Sequence, residues 1–358
     1  MLKTMEYMER YKFEQFTMCY EPSVGLKAFI AIHSTTLGPS SGGVRIWPHP
    51  TEEDAIMDAL RLARAMTYKS AVAGIPLGGG KGLIWADSRK DKNEAMLRAF
   101  GRFVDTLGGR YITTEDVGMT PRDLEHIAQE TKYVVGLPRT MGGSGDTSEM
   151  TGLGLYLGMK ACAKELWGSD SLAGKTIAMQ GFGNVGRNTA YHLVKEGVKL
   201  VVADFYQPAT EVANSLGATI VKPEEIYDQK ADIFSPCALG AVINDNTIKR
   251  IKAPIICGGA NNQLAEERHG EQLHQMGVLY APDYVVNAGG IINASCEVGV
   301  TYNPDRAKEI TQRIYDTTLK VFQTSKDEKI PTSVAADRMA ERRIAATRNI
   351  KPMKRAEH

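Results

Sequence analysis

The sequence predicts an α/β protein with two domains, the second of which is built on a doubly wound parallel sheet. A length of 358 residues suits about two domains. Apolar strand-like segments alternate with helical segments, and in the second half of the chain their spacing is typical of a parallel sheet. The 35 glycines are clustered rather than spread along the chain. These clusters carry most of the functional signal.

The first third of the chain alternates strand and helix. Its predicted elements are a strand at 26–33, a helix that begins after Thr51, a strand at 82–86, a helix at 93–107 and a strand at 111–114. Thr51 is a capping residue, and three carboxylates follow it at the positive end of the helix dipole. The glycine-rich segment 74–80 is predicted to be a break between helix and strand.

The rest of the chain is predicted to form the parallel sheet and its helices. A connector at 142–146 precedes a helix at 151–167. The predicted strands are 176–180, 199–203, 233–234, 255–256 and 284–286, with helices between them. An amphipathic helix at 333–345 is the last predicted element.

Composition excludes several classes of protein. Lys and Arg total 43 and Asp and Glu total 42, which gives a net charge of +1 and argues against a nucleic-acid or membrane-surface partner. No apolar run approaches the ~18 residues of a membrane span. The five cysteines lie far apart without a CxxC pair, and the seven histidines show no ligand spacing. We therefore expect no metal and a reducing, cytoplasmic location.

A glycine-rich turn between strand 176–180 and the next helix matches the dinucleotide fingerprint. Its residues are Gly181, Phe182, Gly183, Asn184, Val185 and Gly186. Asp204 ends the following strand about 20 residues later, as that fingerprint requires. Asp204 would accept hydrogen bonds from the adenosine ribose and repel a 2′-phosphate, and no arginine follows it. This predicts a Rossmann-type domain that binds NAD rather than NADP.

Two lysines and one carboxylate form a second constellation. Lys81 follows a Gly-Gly-Gly run that superficially suggests a phosphate loop, but Ile75 and Gly82 occupy positions where that motif needs glycine and Ser/Thr. The predicted apolar face of the helix after Thr51 contains Ala55, Ala59, Leu62 and Met66, and Lys69 continues it. A lysine there must snorkel, pair with an anion or lose its proton, unless it satisfies the last helix carbonyls. With Asp116 in a further glycine-flanked turn, the three predict a carboxylate anchor, an electrophilic catalyst and a general base.

Five motifs in order resemble those of the glutamate/leucine/phenylalanine/valine dehydrogenase family. They are Met66-Thr-Tyr-Lys69, Gly78-Gly-Gly-Lys81, Thr114-Glu-Asp-Val-Gly118, Ala260-Asn-Asn-Gln263 and Asn287-Ala-Gly-Gly290. The resemblance extends from about Tyr7 to Ala346 and is closest to the leucine-specific members. It implies an enzyme whose substrate site lies in a cleft between two domains.

The resemblance implies a role for each matching residue. Lys69 would bind the substrate carboxylate, Lys81 would activate water and stabilise charge, and Asp116 would shuttle protons. Asn262 would hold substrate near the hydride path, while Thr151 and Asn287 would orient the nicotinamide. Further cofactor contacts are assigned to Cys237, Ala238 and Asn261. Further substrate contacts are assigned to Gly42, Met66, Ser41, Thr114, Ile291 and Ala294.

The side-chain pocket argues against glutamate as substrate. Glutamate members of the family place a lysine before the first Gly-Gly pair and a serine after the second, where this chain has Ser41 and Ala294. A carboxylate buried without a partner would cost ~3–5 kcal/mol. The pocket candidates are Ser41, Thr114, Ile291 and Ala294. Ser41 and Ala294 would make the pocket larger and slightly more polar than is usual in leucine-specific members, whereas Ile291 would fill part of the added space. An aromatic L-amino acid, phenylalanine or tryptophan, is therefore the alternative to a branched-chain one.

Together these features predict an NAD-dependent L-amino acid dehydrogenase whose substrate is a branched-chain L-amino acid, leucine before others. It would form the 2-oxo acid and ammonia reversibly and assemble as a homo-oligomer. The expected domains are a substrate and catalytic domain at 1–140 and an NAD-binding domain at 141–330. Residues 331–358 would be a C-terminal helix and tail that pack back on the first domain. A non-catalytic NAD-binding regulatory protein is the rival class. The presence of Lys69, Lys81 and Asp116 argues against it, because a binding module needs none of them.

Overall fold

A computed structural model describes residues 3–349 of the chain, so the predicted tail at 350–358 lies outside the described residues. Contacts divide the protein into two compact units. One comprises Met1–Gly145 with Arg338–His358, and the other comprises Asp146–Asp337. The predicted domain boundaries at 140/141 and 330/331 lie within a few residues of these divisions. None of the described helices is long and apolar enough to cross a membrane.

The first unit contains a mixed five-stranded sheet. Its strands are β1 (Gln15–Glu21), β2 (Leu26–Ser34), β3 (Ser40–Ile46), β4 (Gly78–Ile84) and β5 (Tyr111–Glu115). Their order in the sheet is β1-β2-β4-β3-β5. Strands β3, β4 and β5 run parallel, whereas β2 is antiparallel to both β1 and β4. Parallel neighbours carry their carboxyl ends to one edge of the sheet, and the residues that follow them lie close together there.

Helices cover both faces of this sheet. They are α1 (Thr4–Tyr11), α2 (Glu52–Val72), α3 (Glu94–Thr106) and α4 (Pro121–Ala128), with 3-10 turns at Pro22–Val24 and Arg139–Met141. Helix α2 packs through buried residues such as Ala59 and Leu60 against Phe29 and Leu83 of the sheet. Helices α3 and α4 pack on the opposite face around Phe100 and Tyr111. As predicted, Thr51 caps α2 by accepting a hydrogen bond from the Asp54 amide.

The glycine run before Lys81 is part of a strand, so the prediction of a break through residue 80 was wrong. β4 begins at Gly78 and is buried along its whole length. A Cβ atom on Gly79 would lie only 2.1 Å from the Thr67 amide nitrogen of α2. Glycine is therefore needed here for close packing of helix on sheet, and the lack of β-branched residues disguises a buried strand.

The second unit contains a six-stranded sheet in which all neighbouring strands run parallel. Its strands are β6 (Thr176–Gln180), β7 (Lys199–Ala203), β8 (Thr219–Ile220), β9 (Ile233–Pro236), β10 (Ile255–Ile256) and β11 (Leu279–Tyr280). Their order is β11-β10-β9-β6-β7-β8. The chain adds β7 and β8 on one side of β6 and then β9, β10 and β11 on the other side. This change of side places a topological switch point at the carboxyl end of β6. This is the predicted doubly wound sheet.

The helices of the second unit alternate with these strands and then continue to the end of the described chain. They are α5 (Ser148–Trp167), α6 (Asn184–Lys195), α7 (Gln207–Ser215), α8 (Glu267–Gln275), α9 (Asp283–Val286), α10 (Gly289–Ser295), α11 (Pro304–Gln312), α12 (Ile314–Glu328) and α13 (Thr332–Arg348), with a 3-10 turn at Pro223–Asp228. The division between the two units falls within α13.

Residues 284–286 form part of helix α9, so the prediction of a strand there was wrong. Pro282 precedes the helix, and the Asn287 amide donates to the Asp283 carbonyl at its end. The strand of this region is β11, a few residues earlier. A short apolar run fits a buried strand and a buried helical turn equally well, and only the neighbouring proline favours the helix start.

Candidate functional site

Lys81 and Asp116 form an ion pair in the first unit. Lys81 lies in the middle of β4 and is only 5% exposed. Asp116 directly follows β5, and its carboxylate oxygen Oδ2 accepts a hydrogen bond from the Lys81 ammonium. Both predicted catalytic residues are thus in direct contact. A charge buried to this degree requires such a partner.

The environment of Asp116 keeps it ionised. Burial raises the pKa of the Asp116 carboxyl, but the positive charges of Lys81 and Arg45 and the hydrogen bonds to Lys81 and the Val117 amide outweigh that effect. The resulting pKa is about 2, below the ordinary value of 3.8. Asp116 is therefore a carboxylate across the neutral range and can accept a proton.

Arg45 is a member of this cluster that sequence reasoning missed. Its Nε lies 3.4 Å from Asp116 Oδ2, and it comes from β3, the strand between β4 and β5. The predicted elements omitted β3, because its sequence Ser-Ser-Gly-Gly-Val-Arg-Ile contains two glycines. The signal that could have found it is an arginine two residues after Gly42-Gly43, since Gly42 was already assigned to the substrate site.

Lys69 is half-buried near the C-terminal end of α2. The buried stripe of this helix differs from the predicted one. It contains Ala55 and Ala59 as expected, but it continues through Ala63 and Thr67, and Leu62 and Met66 are only half-buried. Lys69 therefore lies at the margin of the buried face of α2.

Of the other predicted substrate residues of this unit, Ser41 and Gly42 lie in the first half of β3, and Thr114 lies near the end of β5. Gly42 approaches Met66, since a Cβ atom on Gly42 would lie 3.3 Å from Met66 Cγ. Thr114 pairs with Gly43 across the two strands, and a Cβ atom on Gly43 would lie 2.8 Å from Asp116 Cβ. Ser41 is fully buried. The hydroxyl oxygens of Ser41 and Thr114 are buried without a hydrogen-bond partner, which marks them as groups able to bond a ligand.

The fingerprint turn of the second unit has the geometry of a phosphate site. Gly181 follows β6 with φ of +90°, a conformation that favours glycine. Helix α6 begins at Asn184, and no side chain caps it at Gly183, so the amides of its first turn are available to an anion. A Cβ atom on Gly183 would meet nothing within 4 Å, which leaves space over the turn. The residues present fit a dinucleotide pyrophosphate.

Asp204 follows β7 and is tied to the same turn. Its Oδ2 accepts from the Phe182 amide at 2.6 Å, and its Oδ1 accepts from the Tyr206 amide at 2.8 Å. Each carboxylate oxygen has further lone pairs, so Asp204 can still accept a hydrogen bond from a ribose hydroxyl. The chain beside it contains Phe205 and Tyr206, both exposed, and no basic residue.

Several predicted cofactor residues lie next to this turn or to one another. A Cβ atom on Gly181 would lie 2.8 Å from the Ala238 amide nitrogen, which follows Cys237 at the end of β9. Asn287 Nδ2 donates to Asn261 Oδ1 at 2.8 Å. Asn287 Oδ1 is buried without a partner, so it can accept a hydrogen bond from a carboxamide such as that of nicotinamide.

The remaining predicted residues also lie in the second unit. Thr151 is in the first turn of α5, where its hydroxyl donates to the Thr147 carbonyl. Asn262 adopts φ of +54° in the loop after β10. Ile291 and Ala294 are buried in α10. The structure therefore places Asn262, Ile291 and Ala294 in one unit and the other predicted substrate residues in the other.

A cluster that the sequence did not reveal lies on the surface of the second unit. One ligand atom each from Asp245, Glu266 and His269 lies within 4.8 Å of the others, a spacing that could hold a metal ion. Arg268 already neutralises both carboxylates, with bonds of 2.6 and 2.7 Å to Asp245 and 3.0 Å to Glu266. The arrangement is therefore an exposed ion-pair network, and we assign no metal to it.

Comparison with known proteins identifies the family. Residues 13–133 match the family described as Glu/Leu/Phe/Val dehydrogenase, dimerisation domain. Residues 142–207 and 202–351 match the glutamate/leucine/phenylalanine/valine dehydrogenase family. The chain belongs to this family. Its membership confirms the resemblance seen in the five sequence motifs and makes the protein an amino acid dehydrogenase that depends on a pyridine nucleotide.

Individual relatives of the dehydrogenase cover nearly the whole chain. Leucine dehydrogenases of Thermoactinomyces intermedius and Geobacillus stearothermophilus are each 54% identical over 348 residues, which is 97% of this chain and 95% of each relative. The crystal structure of L-tryptophan dehydrogenase from Nostoc punctiforme is similar with a TM-score of 0.85 and 46% identity, over 97% of this chain and 100% of that chain.

Proposed function

We propose that the protein catalyses reversible, NAD-dependent oxidative deamination of a branched-chain L-amino acid, leucine before others, to the 2-oxo acid and ammonia. The observation that carries this proposal is the buried Lys81–Asp116 pair. Asp116 follows β5 two residues after Thr114, a predicted pocket residue that pairs with Gly43 of β3. Similarity to leucine dehydrogenases at 54% identity supports the choice of substrate class.

The residues of the first unit suit the substrate chemistry. Lys69, at the margin of the buried face of α2, binds the substrate carboxylate through its ammonium. Asp116, ionised at neutral pH, takes a proton from the substrate ammonium, which frees the nitrogen lone pair. When bound, the oxidised nicotinamide supplies the acceptor for the hydride that leaves the substrate α-carbon. Lys81 then directs water to the resulting iminium carbon and stabilises the hydroxyl as it forms, before ammonia departs.

The residues around Asp204 favour NAD over NADP. A 2′-phosphate would bring about two negative charges against the Asp204 carboxylate. Phe205, Tyr206 and Gln207 offer no positive charge to compensate. The amides at the start of α6 and the free acceptor of Asn287 supply the neighbouring contacts for pyrophosphate and carboxamide.

An aromatic L-amino acid is the second candidate substrate. Ser41 is fully buried at a position where a small side chain leaves more room than an aliphatic one. The solved tryptophan dehydrogenase, 46% identical, supports this alternative less strongly than the leucine enzymes support the first.

We further propose a homo-oligomer in the cytoplasm. The family match over residues 13–133 is described as a dimerisation domain, which supports self-association through the first unit. All five cysteines are free thiols in the structure, a state that suits a reducing compartment.

The deciding experiment is a screen of the twenty L-amino acids with NAD⁺, read by the absorbance of NADH. We expect leucine, valine and isoleucine to lead, and glutamate to be disfavoured by more than about a hundredfold in kcat/KM, since its carboxylate would be buried without a partner. Phenylalanine or tryptophan in first place would favour the second candidate. No NADH from any amino acid, by a protein that binds NADH, would favour a regulatory role.

A further inference from the structure

Arg45 lies between two carboxylates that come from different elements. On one side its Nε is 3.4 Å from Asp116 Oδ2, after β5. On the other side its Nη1 donates to Asp58 Oδ2 of α2 at 3.1 Å. Asp58 Oδ2 is also 3.2 Å from His49 Nε2. The guanidinium thus links the helix that carries Lys69 to the carboxylate that pairs with Lys81.

The geometry of this link suits arginine and no other cation. A guanidinium presents several N–H groups in a rigid plane, so one side chain can face two carboxylates at once. Arg45 Nε is buried and donates no hydrogen bond to any of the described residues, so its contact with Asp116 Oδ2 at 3.4 Å is an ion pair. Asp58 therefore holds the guanidinium by a true hydrogen bond, and the fixed plane then presents Nε to Asp116.

We propose that Arg45, anchored by Asp58, is a positioning residue that holds the Asp116 carboxylate against Lys81 in the geometry needed for proton transfer. This inference rests on the proposed dehydrogenase function. Arg45 does not itself need to touch the substrate, because it acts through Asp116. Its contribution is to fix a carboxylate that lies just beyond the end of β5, immediately before a turn.

The charges around Asp116 control the ionisation of its carboxyl group, and Arg45 is one of them. The groups that face it are the Lys81 ammonium from β4, the Arg45 guanidinium from β3 and the Tyr111 hydroxyl from β5. The two cations lower the pKa of Asp116 against the opposing effect of burial. Removing one cation would leave only the other to compensate for the effect of burial, so the pKa of Asp116 should rise.

The test compares Arg45→Gln with Arg45→Lys in the full-length enzyme, using leucine and NAD⁺ at neutral pH. For Arg45→Gln we expect kcat to fall about tenfold to a hundredfold, which is no more than the loss seen when a proton-transfer group itself is removed. KM for leucine should change less than threefold, because Arg45 acts on the reacting carboxylate and not on substrate binding. Arg45→Lys keeps the charge but reaches only one carboxylate, so it should recover part of kcat.

Arg61→Gln is the matched control, since Arg61 is an exposed arginine of the same helix as Asp58. It should behave as the wild type, and NADH binding by fluorescence should be equal in all variants. An unchanged kcat in Arg45→Gln, or a KM for leucine that rises as much as kcat falls, would overturn the proposal. If that variant does not fold, Asp58→Asn decides. It removes only the anchor, and we expect kcat to fall severalfold; an unchanged kcat would equally overturn the role of Arg45. An inactive wild type would instead contradict the proposed function.

Discussion

Lys81 is the residue whose removal should affect the chemistry most directly. Its ammonium is buried and bonded to Asp116, so Lys81→Ala leaves a buried carboxylate without its main partner and deletes a group that acts on the reacting atoms. We expect kcat to fall by about 10²–10⁴. NADH binding, measured by fluorescence, should not change, because the dinucleotide turn belongs to the second unit. Lys90→Ala, at an exposed surface pair, should retain full activity. A normal kcat in Lys81→Ala would refute the assigned role.

His33 predicts a pH dependence of stability. It is buried in β2, where its Nε2 donates to the Tyr11 carbonyl and its Nδ1 accepts from the Thr67 hydroxyl at 2.7 Å. Burial lowers the pKa of His33 from 6.5 to about 4. Between these values the unfolded chain binds a proton that the native protein does not. The stability that His33 contributes is therefore complete above pH 6.5 and is lost as the pH falls toward 4.

The expected loss from His33 is at most about 3 kcal/mol, and urea unfolding at several pH values would measure it. In His33→Gln the side chain cannot titrate, so the decline between pH 6.5 and 4 should be shallower. The exposed His274 provides the control, and His274→Gln should decline as the wild type does. An equally steep decline in His33→Gln would assign the effect to other groups.

At the scale of single elements, the end of α2 depends on a residue from the other end of the chain. Arg343 of α13 donates to the carbonyls of Ser70 and Ala71 at 3.0 and 2.8 Å, and to that of Ile75 at 2.8 Å. These carbonyls lie at the C-terminal end of α2 and in the turn before β4. One guanidinium thus fixes the backbone between Lys69 and Lys81.

Arg343→Met should therefore lower the free energy of unfolding by roughly 2–4 kcal/mol, since it leaves three carbonyls with fewer partners. It should also raise KM for the amino acid more than it lowers kcat, because Lys69 precedes the loosened turn. Thermal unfolding and steady-state kinetics would measure both effects. Arg342→Met, at the exposed neighbouring position, should change stability by less than about 0.5 kcal/mol. Equal effects at the two positions would contradict the capping role.

Local signals in the sequence were sufficient to predict the elements that contain few glycines, but they failed to predict the glycine-rich ones. Helix α2 with its Thr51 cap, helix α3 with its Asn93 cap and strands β6 and β7 follow from caps and periodicity. Strand β3 and the first half of β4 did not, because their glycines are selected by close packing against α2 and neighbouring strands. That packing is a tertiary effect, which a local pattern cannot express.

The same limit applies to the candidate site. The motifs identified Lys81 and Asp116, and the structure pairs them. They could not identify Arg45, Asp58 or Arg343, since each of these acts through a partner that is distant in sequence. Charge pairs between elements depend on strand order and register, which only the folded sheet defines.

For the whole molecule, the placement of selectivity residues predicts that cofactor choice and substrate choice can be changed separately. Asp204 and the turn it bonds lie in the second unit, while Ser41 lies in the first. Asp204→Ala removes the charge that opposes a 2′-phosphate. It should weaken NAD⁺ binding and narrow the preference for NAD⁺ over NADP⁺, and the rank order of amino acids should stay the same. The ratio of kcat/KM for the two cofactors, measured with each amino acid, tests this.

Ser41→Leu should have the complementary effect, because it adds three carbons to a fully buried position in the pocket. Phenylalanine and tryptophan should lose more kcat/KM than valine does, since a larger side chain meets the added volume first. Losing the space for one methylene costs roughly 1–3 kcal/mol. The loss in kcat/KM for phenylalanine and tryptophan should therefore exceed the loss for valine by more than tenfold. The NAD⁺ to NADP⁺ ratio should not move. If Ser41→Leu changed the cofactor ratio, or if valine suffered as much as tryptophan, Ser41 would not line the pocket that receives the substrate side chain.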